Sequence, residues 1–316
     1  MSGAEIRNLI IGIVVLALLA MVPLSEHSDW LMLLLVPIAM YTVLATSWAL
    51  FSGPTHYISL ATAAFFGIGS YTVGVGIDAL PYWLLLLIAA LLGCLLALLV
   101  GLATLRLSGV YFVIFTLGLA EMIRQVVTWV QSKTGSRGMY VLTELTERDI
   151  YWQLLILAGL VMLVGWLVNR SRLGFALRII GNDEVVAAHC GINSARAKIY
   201  LFMISGSFAA VVGAVLAPRY TYIEPAVAFS PELSFQVVIM ALLGGVHRLW
   251  GPILGVIPFT LLWEAISASF PTQTILLLGL AFLLIVYFIP RGIVGLFEQI
   301  SASIKSNMKS NGAAND

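Results

Sequence analysis

The chain alternates long, uninterrupted runs of apolar residues with short polar stretches. The runs are rich in Leu and Ala and lack period-2 alternation, so they predict helices rather than the strands of a membrane barrel. A helix that crosses a bilayer needs about 20 apolar residues and satisfies its own backbone polar groups. Ten segments fit this description: 9–24, 31–51, 59–77, 82–104, 109–131, 151–168, 199–217, 233–245, 253–269 and 274–289. The pattern therefore predicts an all-α polytopic membrane protein with about ten transmembrane helices.

We expect a single transmembrane domain over residues 1–300 and a disordered tail at 301–316, which is rich in Ser, Asn and Lys. The first span is interpreted as a retained helix, because residues 20–24 contain no small-x-small cleavage site for a signal peptide. The third span is rich in glycine, and the eighth is short enough to be a partial span buried in protein.

Composition supports the membrane assignment. Hydrophobic residues make up 61% of the chain and charged residues only 10%, and the mean hydropathy is +1.03. A soluble domain of this size could not bury so much apolar surface. These values exclude a soluble globular protein, a disordered protein and a disulfide-rich secreted scaffold. The net charge of +1 argues against nucleic acid as a partner.

Charged residues in the connections predict the orientation. With a cytoplasmic N-terminus and ten alternating spans, most basic residues fall on the cytoplasmic side, as the positive-inside rule requires. These cytoplasmic residues are Arg7, Arg106, Arg170, Arg172, Arg178, Arg196, Lys198, Arg248, Arg291, Lys305 and Lys309. The outer side receives Lys133, Arg137, Arg148 and Arg219, together with most of the acidic residues. Both termini are therefore predicted to be cytoplasmic.

Residues 169–198 form a cytoplasmic connection unlike the others, being too polar to enter lipid. Its Gly-Asn-Asp run at 181–183 is followed by Glu184, a typical helix start: an Asn or Asp side chain caps the first N–H groups, and acids favour the positive end of the helix dipole. Gly191 is a natural C-terminal stop. The sequence therefore predicts a short capped helix over 184–190.

This helix can be interpreted in two ways. It has a small, mildly apolar face, and an amphipathic stretch at 173–180 precedes it. A projecting helix of this kind suits docking into a groove on a partner protein. An interfacial helix that lies on headgroups and binds anionic lipid through arginines fits equally well. The residues alone leave both interpretations open.

The same connection resembles the cytoplasmic coupling loop of ABC-importer permeases, in the form found in the branched-chain amino-acid permease family. The matching residues are Gly-Phe-Ala-Leu-Arg at 174–178, Asp-Glu at 183–184, Ala-Ala at 187–188 and Gly-Ile-Asn at 191–193. Further segments are similar to the family in the same order: 63–71, 105–112, 116–121 and 229–252. The family often has Leu-Gly-His or Leu-Gly-Gln where this chain has Leu-Ala-Thr at 60–62, a departure that bears on the substrate.

The resemblance implies a permease subunit of an ATP-driven importer in the bacterial inner membrane, carrying amino acids of the branched-chain type or a related small polar solute. It implies alternating access and four partner chains: two cytoplasmic ABC ATPases, a second permease that forms a hetero-dimer with this one, and an extracytoplasmic solute-binding protein. The residues implied for ATPase coupling are Arg178, Asn182, Asp183, Glu184, Val185, Ala187, Ala188 and Gly191.

Five residues form a candidate substrate pathway. Glu121 and Arg124 lie one turn apart inside the fifth span, where ionisable residues are costly. They form either an ion pair that fixes the helix to its neighbours or part of the route, where Arg124 would meet a substrate carboxylate. Thr62, Phe66 and Gly67 in the third span are either packing residues or a pathway wall.

The sequence contains no Walker A phosphate loop, zinc-binding helix motif or nucleophile elbow. We therefore expect no catalytic residue, no cofactor and no metal site, and assign ATP hydrolysis to the partner ATPases. The alternative is a secondary transporter that works alone on an ion gradient, as such proteins use broken helices and ion-coordinating acids. Glu121 and Glu264 are the acids available for that role.

Overall fold

The computed structural model describes residues 21, 23, 29–104, 109–133, 135–182, 184–246 and 248–270. Beyond these it describes positions 272–274, 276–277, 279–280, 283, 287 and 292–295. Most of the first predicted span, much of the tenth and the whole predicted tail lie outside the described residues.

The described part of the chain is mostly helical and includes one two-stranded sheet. The α-helices are α1 (Asp29–Thr55), α2 (Thr62–Gly76), α3 (Tyr82–Thr104), α4 (Val110–Lys133), α5 (Glu147–Arg170), α6 (Arg172–Asn182), α7 (Glu184–His189), α8 (Ser194–Leu216), α9 (Pro225–Ala228), α10 (Pro231–Gly244) and α11 (Gly251–Ser269). A 3-10 turn at Ala217–Arg219 follows α8. Strands β1 (Met139–Tyr140) and β2 (Tyr222–Ile223) pair antiparallel.

Seven helical stretches in the described ranges are long and apolar enough to cross a bilayer. They are Leu31–Thr55, Tyr82–Thr104, Val110–Lys133, Glu147–Arg170, Ser194–Arg219, Pro225–Gly244 and Gly251–Ser269. They coincide with the second, the fourth to seventh, the eighth and the ninth predicted spans. The chain is thus an all-α polytopic membrane protein, as the apolar runs predict.

The third predicted span differs from the expectation. Its helix, α2, begins at Thr62 and has 15 residues, which is about 22 Å and less than a bilayer core. Residues 57–61 before it are not helical, although Ser59, Leu60 and Ala61 are buried. The eighth predicted span is short, as expected: α10 has 14 residues and is preceded by the separate turn α9.

Small residues bring the central helices together. Helix α8 packs against both α2 and α3. Gly69 of α2 and Gly93 of α3 both lie against Ala210 of α8, and a Cβ at Gly69 would collide with the Ala210 carbonyl oxygen. Helices in lipid gain no hydrophobic energy by associating, so close backbone approach supplies the van der Waals contact that holds them.

The bundle has two distinct ends. The sheet lies at one of them, formed by the chain before α5 and the chain after α8. Helices α6 and α7 connect the other ends of α5 and α8. Helix α5 has 24 residues and is therefore about 36 Å long. We call these the sheet end and the α7 end.

Candidate functional site

Helix α6 lies along the α7 end of the bundle with one buried and one exposed face. Leu177 and Ile180 are buried, whereas Arg178 and Phe175 are exposed. Arg178 donates from its guanidinium to the carbonyl of Asn169 at 3.4 Å, close to the C-terminus of α5, where a cation is favourable. The predicted amphipathic stretch is thus a helix fixed to the bundle.

Helix α7 ends where the sequence predicts. Gly191 has φ +75°, a left-handed conformation that glycine adopts without steric cost. Its N–H donates to the Ala188 carbonyl at 3.0 Å, and the Ile192 N–H donates to the Ala187 carbonyl at 3.0 Å. These two bonds are a Schellman stop. Gly191 thus ends α7, as the sequence predicts. The predicted cap Asp183 and the side chains of Asn182 and Val185 lie outside the described residues.

The two alanines of α7 face opposite ways. Ala187 is fully buried, whereas Ala188 is exposed together with Val186, His189 and Glu184. Sequence alone does not distinguish Ala187 from Ala188 as a contact for a partner. The structure assigns Ala187 to packing inside the chain, so Val186 and Ala188 form the small apolar surface that α7 presents outward.

A buried lysine lies directly behind α7. Lys198 in the first turns of α8 is 1% exposed, and its Nζ lies 2.7 Å from Glu184 Oε1. The same ammonium sits 4.1 Å from the centre of the Tyr57 ring. The sequence places Lys198 among the cytoplasmic charges, directly before the predicted span 199–217, and indicates no contact for it. The helix in fact begins at Ser194, so Lys198 lies one turn inside it and is buried.

The non-helical stretch before α2 is held by side chains from three helices. The Trp48 indole N–H of α1 donates to the Ser59 carbonyl at 2.8 Å. The Leu60 N–H donates to Thr116 Oγ1 of α4 at 3.0 Å. Non-helical backbone at membrane depth is tolerated only where protein or water satisfies it, and these bonds provide that satisfaction.

Ser234 of α10 also binds the backbone on both sides of the start of α2. Its hydroxyl donates to the Leu60 carbonyl at 2.9 Å and accepts from the Ala63 N–H, also at 2.9 Å. One buried hydroxyl therefore serves both the last residues before α2 and its first turn. The sequence does not reveal the roles of Trp48, Thr116 and Ser234, because these contacts join positions far apart in the chain.

The pathway candidates in α2 lie in the interior. Thr62, Phe66 and Gly67 are all buried. The ring of Phe229 lies against Gly67, and a Cβ there would collide with it. The Phe66 carbonyl lies against Gly213 of α8. In this conformation the three residues are buried. This arrangement matches their interpretation as packing residues rather than as an open pathway wall.

The pathway candidates in α4, Glu121 and Arg124, are partly exposed, unlike those in α2. Arg124 Nε donates to Glu121 Oε2 at 2.8 Å, and its guanidinium also contacts the other oxygen. Gln125 donates to Glu121 at 2.9 Å. The Glu121 and Arg124 side chains are 41% and 30% exposed. The mutual ion pair is confirmed, but it faces away from the bundle and does not join α4 to a neighbouring helix.

Polar side chains also collect at the sheet end. Arg219 Nε lies 3.1 Å from Glu147 Oε1, joining the turn after α8 to the start of α5. The Tyr41 hydroxyl donates to Gln236, whose amide donates to Glu232 at 3.3 Å. The rings of Tyr140 in β1 and Tyr222 in β2 pack with centres 4.8 Å apart and planes tilted by 49°. The loop before α5 and the chain after α8 thus form one surface at the sheet end.

Comparison with known proteins gives consistent similarity. A family model described as the permease component of branched-chain amino acid transport systems matches residues 31–289. The high-affinity branched-chain amino acid transport system permease protein LivM of Escherichia coli (strain K12) is 26% identical over 289 residues, covering 80% of this chain and 67% of LivM. Its counterpart LivH of Salmonella typhimurium is 28% identical over 162 residues, 51% of each chain.

A more distant match is the probable ABC transporter permease protein YphD of Escherichia coli (strain K12), 32% identical over 112 residues and 34% of each chain. No solved structure matches the chain. The family match covers the described helices from α1 to α11, including α6, α7 and the interrupted entry to α2. The chain therefore belongs to the family of permease components of branched-chain amino acid transport systems, and it is a multi-pass permease subunit of the ABC-importer class.

Proposed function

We propose that this permease imports an amino acid of the branched-chain type, or a related small polar solute, by alternating access across the bacterial inner membrane. ATP hydrolysis takes place on two separate cytoplasmic ABC ATPases, which dock on α7. A second permease completes the pathway, and an extracytoplasmic binding protein delivers the solute. The LivM and LivH names support both the substrate class and the pairing of two different permease chains.

Helix α7 is the observation that carries this proposal. It is a short helix at the end of the bundle, stopped by Gly191 and connected on both sides to long helices through α6 and α8. Val186 and Ala188 leave a small apolar surface exposed on it. A groove on a partner accommodates such a surface, and the chain relays any displacement of α7 to α5 and α8.

Charges at the two ends support the orientation. Arg170, Arg172, Arg178 and Arg196 lie at the α7 end, whereas acids such as Glu224 lie near the sheet end. By the positive-inside rule the α7 end is cytoplasmic. With the partial span α2 and the two terminal segments counted, the ten-span topology places both termini in the cytoplasm.

The outward face of α4 fits the second permease. Fewer residues are buried in α4 than in any other of the seven long helices of the described ranges. Glu121, Arg124 and Gln125 form a charged and polar patch near its middle, a position that is costly against lipid. A second permease chain covering this face would enclose the patch. Arg124 would then stand at the interface, available to a substrate carboxylate.

The stand-alone secondary transporter finds no support in the described residues. Glu121 is already bonded to Arg124 and Gln125. Glu264 is exposed near the sheet end of α11, in keeping with a headgroup location. These acids do not meet in the interior, where a coupling ion would need them.

Binding of the ATPase to α7 is tested with substitutions on its exposed face. We expect Ala188→Trp to reduce copurification of the ATPase roughly tenfold or more, because overpacking a close contact costs about 1–3 kcal/mol. Glu184→Lys should act in the same direction. Both variants should remain in the membrane at the parental level, as measured by immunoblot of the membrane fraction.

Ala103→Trp is the matched control. Ala103 is an exposed alanine near the C-terminus of α3, away from α7 in the chain, so the same substitution there should leave copurification unchanged. If Ala188→Trp retains the ATPase as well as Ala103→Trp does, docking on α7 is wrong.

A further inference from the structure

Lys198 is a fully buried ammonium in a membrane protein, and it has two partners from different elements. Its charge is balanced by Glu184 of α7 at 2.7 Å. Its remaining surroundings include the face of Tyr57 at 4.1 Å, a cation–π contact whose attraction grows as water is removed. A buried charge needs such compensation, because leaving it without a partner is strongly unfavourable.

Tyr57 belongs to the non-helical entry to α2. It lies in the stretch 56–61, in which Ser59 and Leu60 bond to Trp48, Thr116 and Ser234. The Tyr57 ring also packs edge-on against Phe112 of α4, with centres 5.3 Å apart. Lys198 therefore contacts α7 through Glu184 and the non-helical stretch 56–61 through Tyr57.

The turn before Tyr57 follows the end of α1, which contacts helix α6. His56 has φ +57°, a left-handed conformation uncommon outside glycine. Gly181 near the end of α6 lies against the Pro54 carbonyl in the last turn of α1, where a Cβ would approach to 2.9 Å. Helix α6 thus contacts Pro54, just before the turn. Helix α7 is linked to Tyr57, just after the turn, through Lys198.

These contacts determine which parts move together. If α7 moved outward alone, Glu184 would separate from Lys198 and leave the ammonium buried without its counter-charge. Moving α7, Lys198 and Tyr57 together preserves both contacts and avoids that cost. The displacement is then transmitted to Leu60, whose backbone is hydrogen-bonded to Thr116 and Ser234.

We propose that Lys198 is a positioning residue that ties α7 to the 56–61 segment, so that movement of the docked ATPase reaches the N-terminus of α2. This rests on the proposed function, since it presumes that the ATPase grips α7. It adds a defined route, Glu184 to Lys198 to Tyr57 to the 59–61 backbone, which ends at the bonds of Thr116 and Ser234.

The test uses the full importer, reconstituted in proteoliposomes with its ATPases and binding protein. Lys198→Met keeps an unbranched side chain, shorter by the terminal nitrogen, and removes its charge. We expect the ATPase to copurify normally and to hydrolyse ATP, while solute transported per ATP falls by roughly fivefold or more, a typical coupling effect. Lys198→Arg should recover most of the loss, because a guanidinium both pairs with a carboxylate and stacks on a ring. Arg196→Met, at an exposed cation two residues earlier, is the control and should couple as the parent does.

A second readout does not involve the ATPase. Hydrogen exchange of the purified permease should show faster exchange at amides 57–61 in Lys198→Met than in Arg196→Met. Unchanged exchange, or unchanged transport per ATP, overturns the proposal. Should Lys198→Met fail to assemble, Tyr57→Leu is compared with Tyr57→Phe: only the first should lose coupling, and equal ratios overturn the proposal.

The two hypotheses fail in different experiments. If Ala188→Trp does not release the ATPase, the docking assignment is wrong whatever Lys198 does. If Ala188→Trp releases it and Lys198→Met couples normally, docking stands and the Lys198 link is wrong.

Discussion

Ser234 uses a single hydroxyl group for two hydrogen bonds across the entry to α2. It donates to the Leu60 carbonyl and accepts from the Ala63 N–H, and it is fully buried. Both backbone groups belong to buried residues, Leu60 and Ala63. Removing one partner from a buried hydrogen bond leaves the other with its full desolvation cost.

We therefore predict that Ser234→Ala lowers the free energy of unfolding by about 1–3 kcal/mol, seen as a lower midpoint of thermal unfolding in detergent. Ser47→Ala is the matched control, because Ser47 is equally buried but its hydroxyl donates only to Leu44 in its own helix. Equal midpoints for the two variants would show that Ser234 does not hold the entry to α2.

At the scale of elements, helices α2 and α8 approach until backbone meets backbone. Gly69 lies against the Ala210 carbonyl, and any added Cβ would push the two helices apart. Gly118 on α4 is different, since nothing lies within 4 Å of the position a Cβ would take. A Gly→Ala substitution should therefore lower the stability at position 69 but not at position 118.

We predict that Gly69→Ala destabilises the permease by about 1–3 kcal/mol through overpacking. Gly118→Ala should leave stability unchanged or raise it by up to about 1 kcal/mol, because Ala favours helix over Gly. Thermal unfolding of the isolated permease measures both. A drop at Gly118 as large as the one at Gly69 would contradict the described packing.

These elements are not equally predictable from the amino-acid sequence. Apolar runs locate the long helices, and Gly191 locates the end of α7, because both signals are local. The non-helical backbone at 59–61 was not predicted, since Leu60 and Ala61 continue the apolar run into α2 and the third span was expected to begin at 59. What breaks the helix there is the set of bonds from Trp48, Thr116 and Ser234, and pairs so distant in the chain leave no periodic pattern.

The same limit applies to the site. The paired Glu121 and Arg124 follow from their spacing of one helical turn, but the direction in which α4 faces depends on the packing of the whole bundle. The Lys198–Glu184 pair joins residues 14 positions apart, across the turn at Gly191. Its burial follows from the packing of α7 against α8, which composition does not reveal.

At the scale of the whole molecule, the two ends have different chemistry. The sheet end has packed tyrosine rings and the Arg219–Glu147 pair, and the α7 end has arginines and the exposed face of α7. We propose that the α7 end lies in the cytoplasm and is covered by an ATPase. Cys190, exposed directly after α7, provides a natural probe of that claim.

The most direct test is labelling of Cys190 with a membrane-impermeant thiol reagent, in a Cys94→Ala background that removes the half-buried second thiol. We predict labelling in inside-out vesicles and none in right-side-out vesicles. Coexpression of the ATPase subunits should slow labelling in the inside-out vesicles. Labelling from the outer face, or a rate that the ATPase leaves unchanged, would contradict the assignment of α7 as the coupling helix.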